Sequence, residues 1–228
     1  MALQYNPKIV TKGLVMNLDT ADKNSYPGSG TTWTDLCGNG FNATIGSSVG
    51  FQRIHGGVLR TLNSQSNSNQ SIESVSSIDI AAWNKYTFEI WFKNNGSQGS
   101  DCSAFGFDNG SQTSYGARYQ GADVQTWING TLDFGLSFTA DTAIQQIVKT
   151  GDGQTFKLYK NSLLVSTQTA DVTNTGPNIT RFHMNSHGRT ASNNGYNGDY
   201  AICRMYNEVL TPTEIKQNYD VNRPRFGD

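Results

Sequence analysis

The chain has few of the residues that would signal a redox, membrane or nucleic-acid role. Its three cysteines, Cys37, Cys102 and Cys203, are odd in number and lack metal-ligand spacing, so we interpret them as free thiols. Charged residues make up only 15% of the chain, and 17 basic against 18 acidic residues leave a net charge of −1. This balance lacks the basic footprint of a nucleic-acid binder. No apolar run approaches the length of a transmembrane helix, so we expect no membrane partner.

What the sequence contains instead is typical of an all-β protein. Gly, Ser, Asn and Thr are abundant, 11% of residues are aromatic, and a length of 228 residues suits one sandwich domain. The clearest strand is Tyr86–Lys93, in which Tyr86, Phe88, Ile90 and Phe92 alternate with Thr87, Glu89, Trp91 and Lys93. We predict that the first of these two sets faces the core between two sheets.

A short helix near the end of the chain has a complete start signal. Thr211 stands at the N-cap, Pro212 at the first helical position and Glu214 three residues after the cap. A helix that follows a strand in a β-rich chain must dock against a sheet. We therefore predict that Ile215 and Tyr219, four residues apart on one helical face, are buried there.

Three segments carry a family pattern: Gly13–Asp19 (GLVMNLD), Tyr26–Gly40 (YPGSGTTWTDLCGNG) and Tyr206–Tyr219 (YNEVLT, then EI and QNY). They resemble the laminin G-like domains of the concanavalin A-like lectin/glucanase superfamily, and in particular the branch found in phage and other virion proteins. The resemblance implies an all-β, two-sheet antiparallel jelly-roll sandwich with one short C-terminal helix. From turn spacing we expect about 11 to 14 short strands. We predict a single domain over residues 1–228, with an N-terminal arm (1–8), a helix (211–219) and a C-terminal tail (220–228).

The carboxylates of the chain lack the paired arrangement that glycoside hydrolysis requires. Some members of the superfamily cleave β-glucans with Glu-x-Asp-x(x)-Glu on one strand, which places acid and nucleophile on the same sheet face. The chain has only four glutamates, Glu73, Glu89, Glu208 and Glu214, and the same-face neighbours of Glu89 are an aromatic and a cationic residue. We therefore predict that the protein is not an enzyme. His183 and His187 lead from a strand into a loop, and we interpret them as solvated side chains rather than a metal pair.

Calcium is the one cofactor that the resemblance raises. Laminin G-like and lectin relatives often bind it at the sheet rim through Asp, Asn and carbonyl oxygens. The candidates here are Asp19, Asp35 and Asp199, with Asp108 as a fourth. These are isolated carboxylates without a ligand cluster around them, so solvated acidic side chains are the alternative interpretation. We expect no other cofactor.

Aromatic residues near Asn- and Gly-rich turns are candidates for glycan binding, since sugars stack on aromatic rings and hydrogen-bond to amides. Tyr115, Tyr119, Trp127 and Tyr196 fit this description. The alternative is that such rings anchor long loops to the sandwich, and we favour that alternative for Trp33 and Trp127.

Two functions remain open. The first is a non-enzymatic virion surface protein, a capsid decoration or tail-associated subunit, present in multiple or homo-oligomeric copies and able to bind host-surface glycan. Its partners would be other virion proteins, contacted through Tyr5, Arg225 and Phe226 on exposed termini. The second is a free-standing carbohydrate-binding lectin or adhesin. The start Met1–Pro7 has neither a basic region nor an apolar run, so we expect synthesis in the host cytoplasm without a signal peptide.

Overall fold

The computed structural model describes residues 8–62, 70–76, 85–96, 102–108, 113–120, 123–128, 132–136, 143–169, 181–185 and 196–227. For residues 102–103, 107–108, 113–120, 123–128, 132–136 and 181 it describes the backbone and not the side chains. The strands are β1 (Leu14–Asp19), β2 (Thr32–Trp33), β3 (Ala43–Ile45), β4 (Gly50–Gln52), β5 (Val58–Thr61), β6 (Ile72–Ser74), β7 (Tyr86–Asn94), β8 (Cys102–Asp108), β9 (Thr113–Gln120), β10 (Asp123–Ile128), β11 (Leu132–Leu136), β12 (Gln145–Gly151), β13 (Thr155–Lys160), β14 (Leu163–Thr169), β15 (Arg181–Met184) and β16 (Gly198–Tyr206). One α-helix, α1 (Pro212–Asn222), lies within these ranges.

The strands form two eight-stranded antiparallel sheets. Sheet A has the order β14-β13-β12-β7-β16-β5-β4, with β1 also paired to β16, and sheet B has the order β11-β10-β9-β8-β15-β6-β3-β2. The predicted sandwich with one C-terminal helix is confirmed. There are more strands than the expected number of about 11 to 14, because β2, β3 and β4 are only two or three residues long and too short for alternation to reveal them. Within the described residues, no helix has the length and apolar character to cross a membrane.

The core lies between the two sheets, and β7 supplies much of it. Tyr86, Phe88, Ile90 and Phe92 all belong to the main buried cluster, as the alternation predicts. Phe88 reaches across to sheet B, with its ring centroid 4.9 Å from that of Phe105. Because the two inner faces interdigitate in this way, the order of strands decides which side chains meet.

The C-terminal helix docks on the outer face of sheet A. Its capping box is complete: the N–H of Glu214 donates to Thr211 Oγ1 and the N–H of Thr211 donates to Glu214 Oε2. Ile215 is fully buried with Leu210, which confirms that part of the prediction, whereas Tyr219 is half-buried. The helix continues to Asn222 rather than stopping at residue 219, and a 3-10 turn follows over Arg223–Arg225.

Candidate functional site

The outer face of sheet A is covered by α1 and by the residues that follow it. Trp91 of β7 lies at the centre of this face, and its ring centroid is 4.9 Å from that of Phe226 and 5.7 Å from that of Tyr219, both stacked. Trp91 keeps only 1% of its surface exposed and Phe226 only 8%. This face is therefore occupied by the chain itself.

Beneath the helix lies a buried polar network centred on Glu89. Its Oε1 accepts hydrogen bonds from Trp91 Nε1 (2.8 Å), Gln146 Nε2 (2.9 Å) and Arg204 Nη1 (3.4 Å), and its Oε2 accepts one from Asn218 Nδ2 (2.8 Å). Glu89 is fully buried. A carboxylate that faces four protein donors and no solvent joins the helix to the sheet and is not placed to transfer a proton to a ligand.

Asp35, one of the calcium candidates, organises the loop after β1. Its Oδ1 accepts the N–H groups of Asn17 (2.9 Å) and Cys37 (3.0 Å), and its Oδ2 accepts the N–H of Asn39 (3.2 Å). Burial, reinforced by the neighbouring Asp35, raises the pKa of the Cys37 thiol to about 11. Cys37 and the buried Cys203 are free, as the sequence predicts. The Asp35 carboxylate is thus used to hold the loop.

The other two described calcium candidates are paired with arginines. Asp19 Oδ1 lies 2.6 Å from Arg225 Nη1, and Asp199 receives a bidentate pair from Arg60, at 2.6 Å from Nε and 2.8 Å from Nη2. An arginine fork supplies the positive charge that a calcium ion would otherwise supply. In the described part of the chain, no group of three or more His, Cys, Asp or Glu side chains could hold a metal ion. The side chain of Asp108 lies outside the description.

The C-terminal tail is part of the folded body. Arg225 donates from Nη2 to the carbonyl of Gly57 (2.8 Å) and to Thr20 Oγ1 (3.0 Å), in addition to its pair with Asp19. Burial lowers the pKa of its guanidinium. The expectation that Arg225 and Phe226 lie on an exposed tail is therefore wrong: Phe226 covers Trp91, and Arg225 fastens the tail to the β1 and β5 ends. Tyr5 lies outside the described residues.

Among the glycan-binding candidates, Tyr196 is excluded by its position. It is fully buried in the core cluster, packed near Phe92 and Tyr200, and its backbone N–H donates to Asn185 Oδ1. A ring without exposed surface cannot stack on a sugar, so this prediction is corrected. Trp33 is also fully buried, in agreement with the interpretation that it anchors a loop.

The other three candidates lie on adjacent strands of sheet B. Tyr115 and Tyr119 are in β9, Trp127 is in β10, and Tyr115 pairs with Ile128 while Trp127 pairs with Gly116. The register places them in two different rows: Trp127 pairs with Gly116, whereas Tyr115 pairs with Phe107, which in turn pairs with the core residue Phe182. Tyr119 is four residues from Tyr115 and therefore belongs to the same side of β9. Their side chains lie outside the description.

Trp127 belongs to a continuous register row across sheet B, which we call the cross-strand row. It contains one residue from each strand: Thr32, Thr44, Glu73, His183, Gly106, Gly116, Trp127 and Asp133. The neighbouring Phe182 and Met184 belong to the core, so His183 faces the outer side of the sheet. Two glycines, Gly106 and Gly116, lie side by side in this row, and Gly106 is buried.

Exposure falls along the described half of the cross-strand row. Thr32 and Thr44 are exposed, Glu73 is half-buried and His183 is 1% exposed. The interpretation of His183 as a solvated loop side chain is therefore wrong, because it lies in β15. The polar residues of the row therefore pass from the exposed rim of the sheet to a buried position at His183. The sequence carries no local signal for this row, since its pairs include Glu73 and His183, which are more than a hundred positions apart.

Comparison with known proteins places these features in a family. Residues 64–216 match the Laminin_G_3 family, described as the Concanavalin A-like lectin/glucanases superfamily. None of the curated proteins compared with the chain is significantly similar to it in sequence.

Solved structures share the fold over most of the chain. The sialidase of Trypanosoma rangeli in complex with sialic acid matches with a TM-score of 0.74 and 14% identity, over 96% of this chain and 35% of that one. The binding domain of botulinum neurotoxin DC in complex with SialylT matches with a TM-score of 0.68 and 13% identity, over 92% of this chain and 52% of that one. A structure on botulinum neurotoxin type C, whose cell entry depends on interaction with two ganglioside molecules, has a TM-score of 0.68 and 12% identity. This chain thus spans about a third of the sialidase and about half of the toxin domains.

Proposed function

The chain belongs to the Laminin_G_3 family of the concanavalin A-like lectin/glucanase superfamily, and from this premise we propose that it is a non-enzymatic, glycan-binding protein of a virion surface. Its ligand lies on the outer side of sheet B, along the cross-strand row. The protein is made in the host cytoplasm and is carried on the particle in multiple copies, beside capsid or tail subunits.

The observation that carries the glycan-binding proposal is the arrangement of sheet B. Trp127 lies in the cross-strand row, with the paired glycines beside it in the register and the polar positions Glu73, Thr44 and Thr32 farther along. The outer face of sheet A is occupied by α1 and the tail, as Trp91 shows. Sheet B is therefore the face that we assign to a ligand, since aromatic rings beside polar groups suit sugar rings.

The similar structures suggest which glycans to test first. Sialic acid is bound in the sialidase structure, SialylT in one toxin domain, and gangliosides are named for another. Sialylated oligosaccharides are therefore the first probes, with neutral oligosaccharides of the same length for comparison.

The direct test is binding of these probes to the full chain, measured by glycan array and then by titration calorimetry. Trp127→Ala should weaken binding by about tenfold, the factor that about 1.4 kcal/mol of lost stacking and contact represents. Glu73→Gln should weaken binding of the neutral oligosaccharides, because a carboxylate accepts hydrogen bonds from sugar hydroxyls more strongly than an amide does. Asp220→Asn removes a charge of similar size from the exposed side of α1 and should leave affinity unchanged. Equal affinities for all four proteins would refute the assignment to sheet B.

The virion context rests on the resemblance of the GLVMNLD start, the YPGSGTTWTDLCGNG loop and the YNEVLT segment to virion proteins. It is tested by locating the chain in purified particles with specific antibodies and by mass spectrometry. A chain that binds cell-surface glycan as a soluble protein, and never co-purifies with particles, would instead be a free-standing lectin or adhesin.

The non-enzymatic part of the proposal rests on the absence of the paired-carboxylate strand and on the enclosed position of Glu89. Incubation with laminarin, other β-glucans and a fluorogenic sialoside should release no product above a blank. Turnover that disappears in Glu89→Gln would contradict it.

A further inference from the structure

The sequence contains several Asn-Gly pairs, and three of them lie wholly within the described residues: Asn39–Gly40, Asn95–Gly96 and Asn197–Gly198. In such a pair the backbone nitrogen of the glycine can attack the side-chain carbonyl carbon of the asparagine, because a glycine has no Cβ to hinder the approach. The reaction needs a backbone that can rearrange and contact with water. The fold therefore decides which of the three pairs reacts.

The pair Asn39–Gly40 meets both conditions. Both residues are exposed, in the loop between β2 and β3. Gly40 has a φ of +80°, and a Cβ built on it would meet no atom within 4 Å. Within the described residues its N–H donates to no backbone carbonyl. The glycine nitrogen is thus exposed to water and is not held in place by a backbone hydrogen bond.

The other two pairs are protected by their surroundings. The N–H of Gly96 donates to Asn94 Oδ1 (3.0 Å), and the Nδ2 atom of Asn95 is buried. Gly198 is buried in β16, where it pairs with both β5 and β7. Ring closure at either of these pairs therefore has to break contacts that the pair Asn39–Gly40 does not make.

We propose that Asn39 is a site of spontaneous covalent modification, at which its amide is converted to an aspartate or an isoaspartate. The Gly40 nitrogen forms a bond with Cγ of Asn39, the bond from Cγ to Nδ2 breaks, and the proton of the attacking nitrogen leaves with the ammonia. One water molecule then opens the resulting cyclic imide. Cleavage at Cγ gives aspartate, and cleavage at the backbone carbonyl carbon gives isoaspartate. The reaction consumes water, releases ammonia and needs no oxidant or reductant.

The modification changes a side chain that holds its loop. Asn39 Nδ2 donates to the carbonyl oxygen of Val15 (2.8 Å), and the Asn39 N–H donates to Asp35 Oδ2 (3.2 Å). An aspartate has no donor for the Val15 carbonyl and brings a second negative charge close to the buried Asp35 carboxylate. In isoaspartate the backbone also gains one methylene group before Gly40. We therefore expect either product to weaken the attachment of this loop to β1.

The first experiment follows the three pairs in the full chain by peptide mapping with mass spectrometry, during incubation in mildly alkaline buffer. Asn39 should react at least about fivefold faster than Asn95 or Asn197, the factor that one additional broken hydrogen bond of about 1 kcal/mol represents. The same measurement in concentrated urea removes the fold, and there the three rates should converge. Equal rates in the folded chain, or a preference for Asn39 that persists in urea, would overturn the proposal.

A second experiment tests the consequence for the loop by urea unfolding. Asn39→Asp reproduces the aspartate product and should have a lower unfolding midpoint than the wild type. Asn24→Asp is the matched control, because Asn24 is also exposed and its N–H also donates to an aspartate, Asp22 (2.8 Å). It introduces the same charge beside a carboxylate without removing a donor from β1, and its midpoint should stay close to that of the wild type. Equal midpoints for the two variants would overturn the inferred effect on the loop.

Discussion

The buried pair of Glu89 and Arg204 allows a quantitative prediction. Arg204 is 2% exposed, and its other hydrogen bonds go to the neutral oxygens of Asn17 (3.0 Å) and Asn222 (3.2 Å). Glu89→Gln keeps the size of the side chain but leaves the guanidinium buried without its carboxylate. Removal of one partner of a buried ion pair costs about 3–5 kcal/mol.

The hydrogen bonds lost in Glu89→Gln add to this loss of stability. Glu89 accepts donors on both oxygens, whereas a glutamine amide has one acceptor oxygen and one donor nitrogen. If the amide nitrogen takes the place of Oε2, it faces the Nδ2 donor of Asn218; in the other orientation it faces Trp91 Nε1 and Gln146 Nε2. In either orientation the N–H donor of the glutamine faces another N–H donor. We therefore expect the upper part of the range, about 4–5 kcal/mol, with a fall in Tm of roughly 8–20 °C for a chain of this size.

Urea unfolding of the wild type and of three variants tests this reasoning. Asp220→Asn breaks the ion pair with Lys216, whose side chain is 62% exposed, and should cost only about 0.3–0.5 kcal/mol. The double variant Glu89→Gln/Arg204→Met should recover part of the stability lost in Glu89→Gln, since it leaves no unpaired charge. A loss below about 1 kcal/mol in Glu89→Gln, or a double variant less stable than the single one, would refute the account based on the buried charge.

Three further predictions concern the core and the tail. Burial lowers the pKa of Lys149 to about 7 from its ordinary 10.5. Between these two pH values the unfolded chain binds more protons than the folded one, so the stability of the wild type rises with pH. Lys149→Met should therefore stabilise the protein most at pH 6 and less at pH 10. Gly198→Ala would place Cβ 2.6 Å from the carbonyl oxygen of Lys93, and we expect it to lower the free energy of unfolding by about 1–3 kcal/mol. Deletion of residues 223–228 uncovers Trp91 and should cost about 2–4 kcal/mol.

For each of these three predictions, one result would contradict it. A stabilisation by Lys149→Met that is the same at both pH values would show that its ammonium is not neutralised by burial. Gly50→Ala is the control for Gly198→Ala, because its Cβ would meet no atom closer than 3.6 Å; equal losses would remove the steric explanation. An unchanged Tm after the deletion would show that the tail does not contribute to stability.

Local sequence patterns were sufficient to predict the clearest strand and the start of the helix in this fold. Alternation over Tyr86–Lys93 placed four side chains in the core because a strand turns successive residues to opposite sides. The capping box of Thr211 and Glu214 located the start of α1 because its hydrogen bonds lie within one turn. The family resemblance supplied the two-sheet architecture, which neither pattern specifies by itself.

The sequence alone determined that this chain forms strands, one capped helix and a polar surface, because those properties depend on neighbours a few residues apart. Only the tertiary structure decided which contacts its charged and aromatic side chains make. Asp199 is paired with an arginine 139 positions away, the tail closes over Trp91, and Tyr196 lies inside the core rather than on a binding surface. β14 has three exposed apolar side chains because it lies at the edge of its sheet. The order of the strands and the docking of the helix and tail decide which side chains meet and which stay exposed. A local sequence pattern predicts neither, since the free energy of burial depends on what packs against a residue.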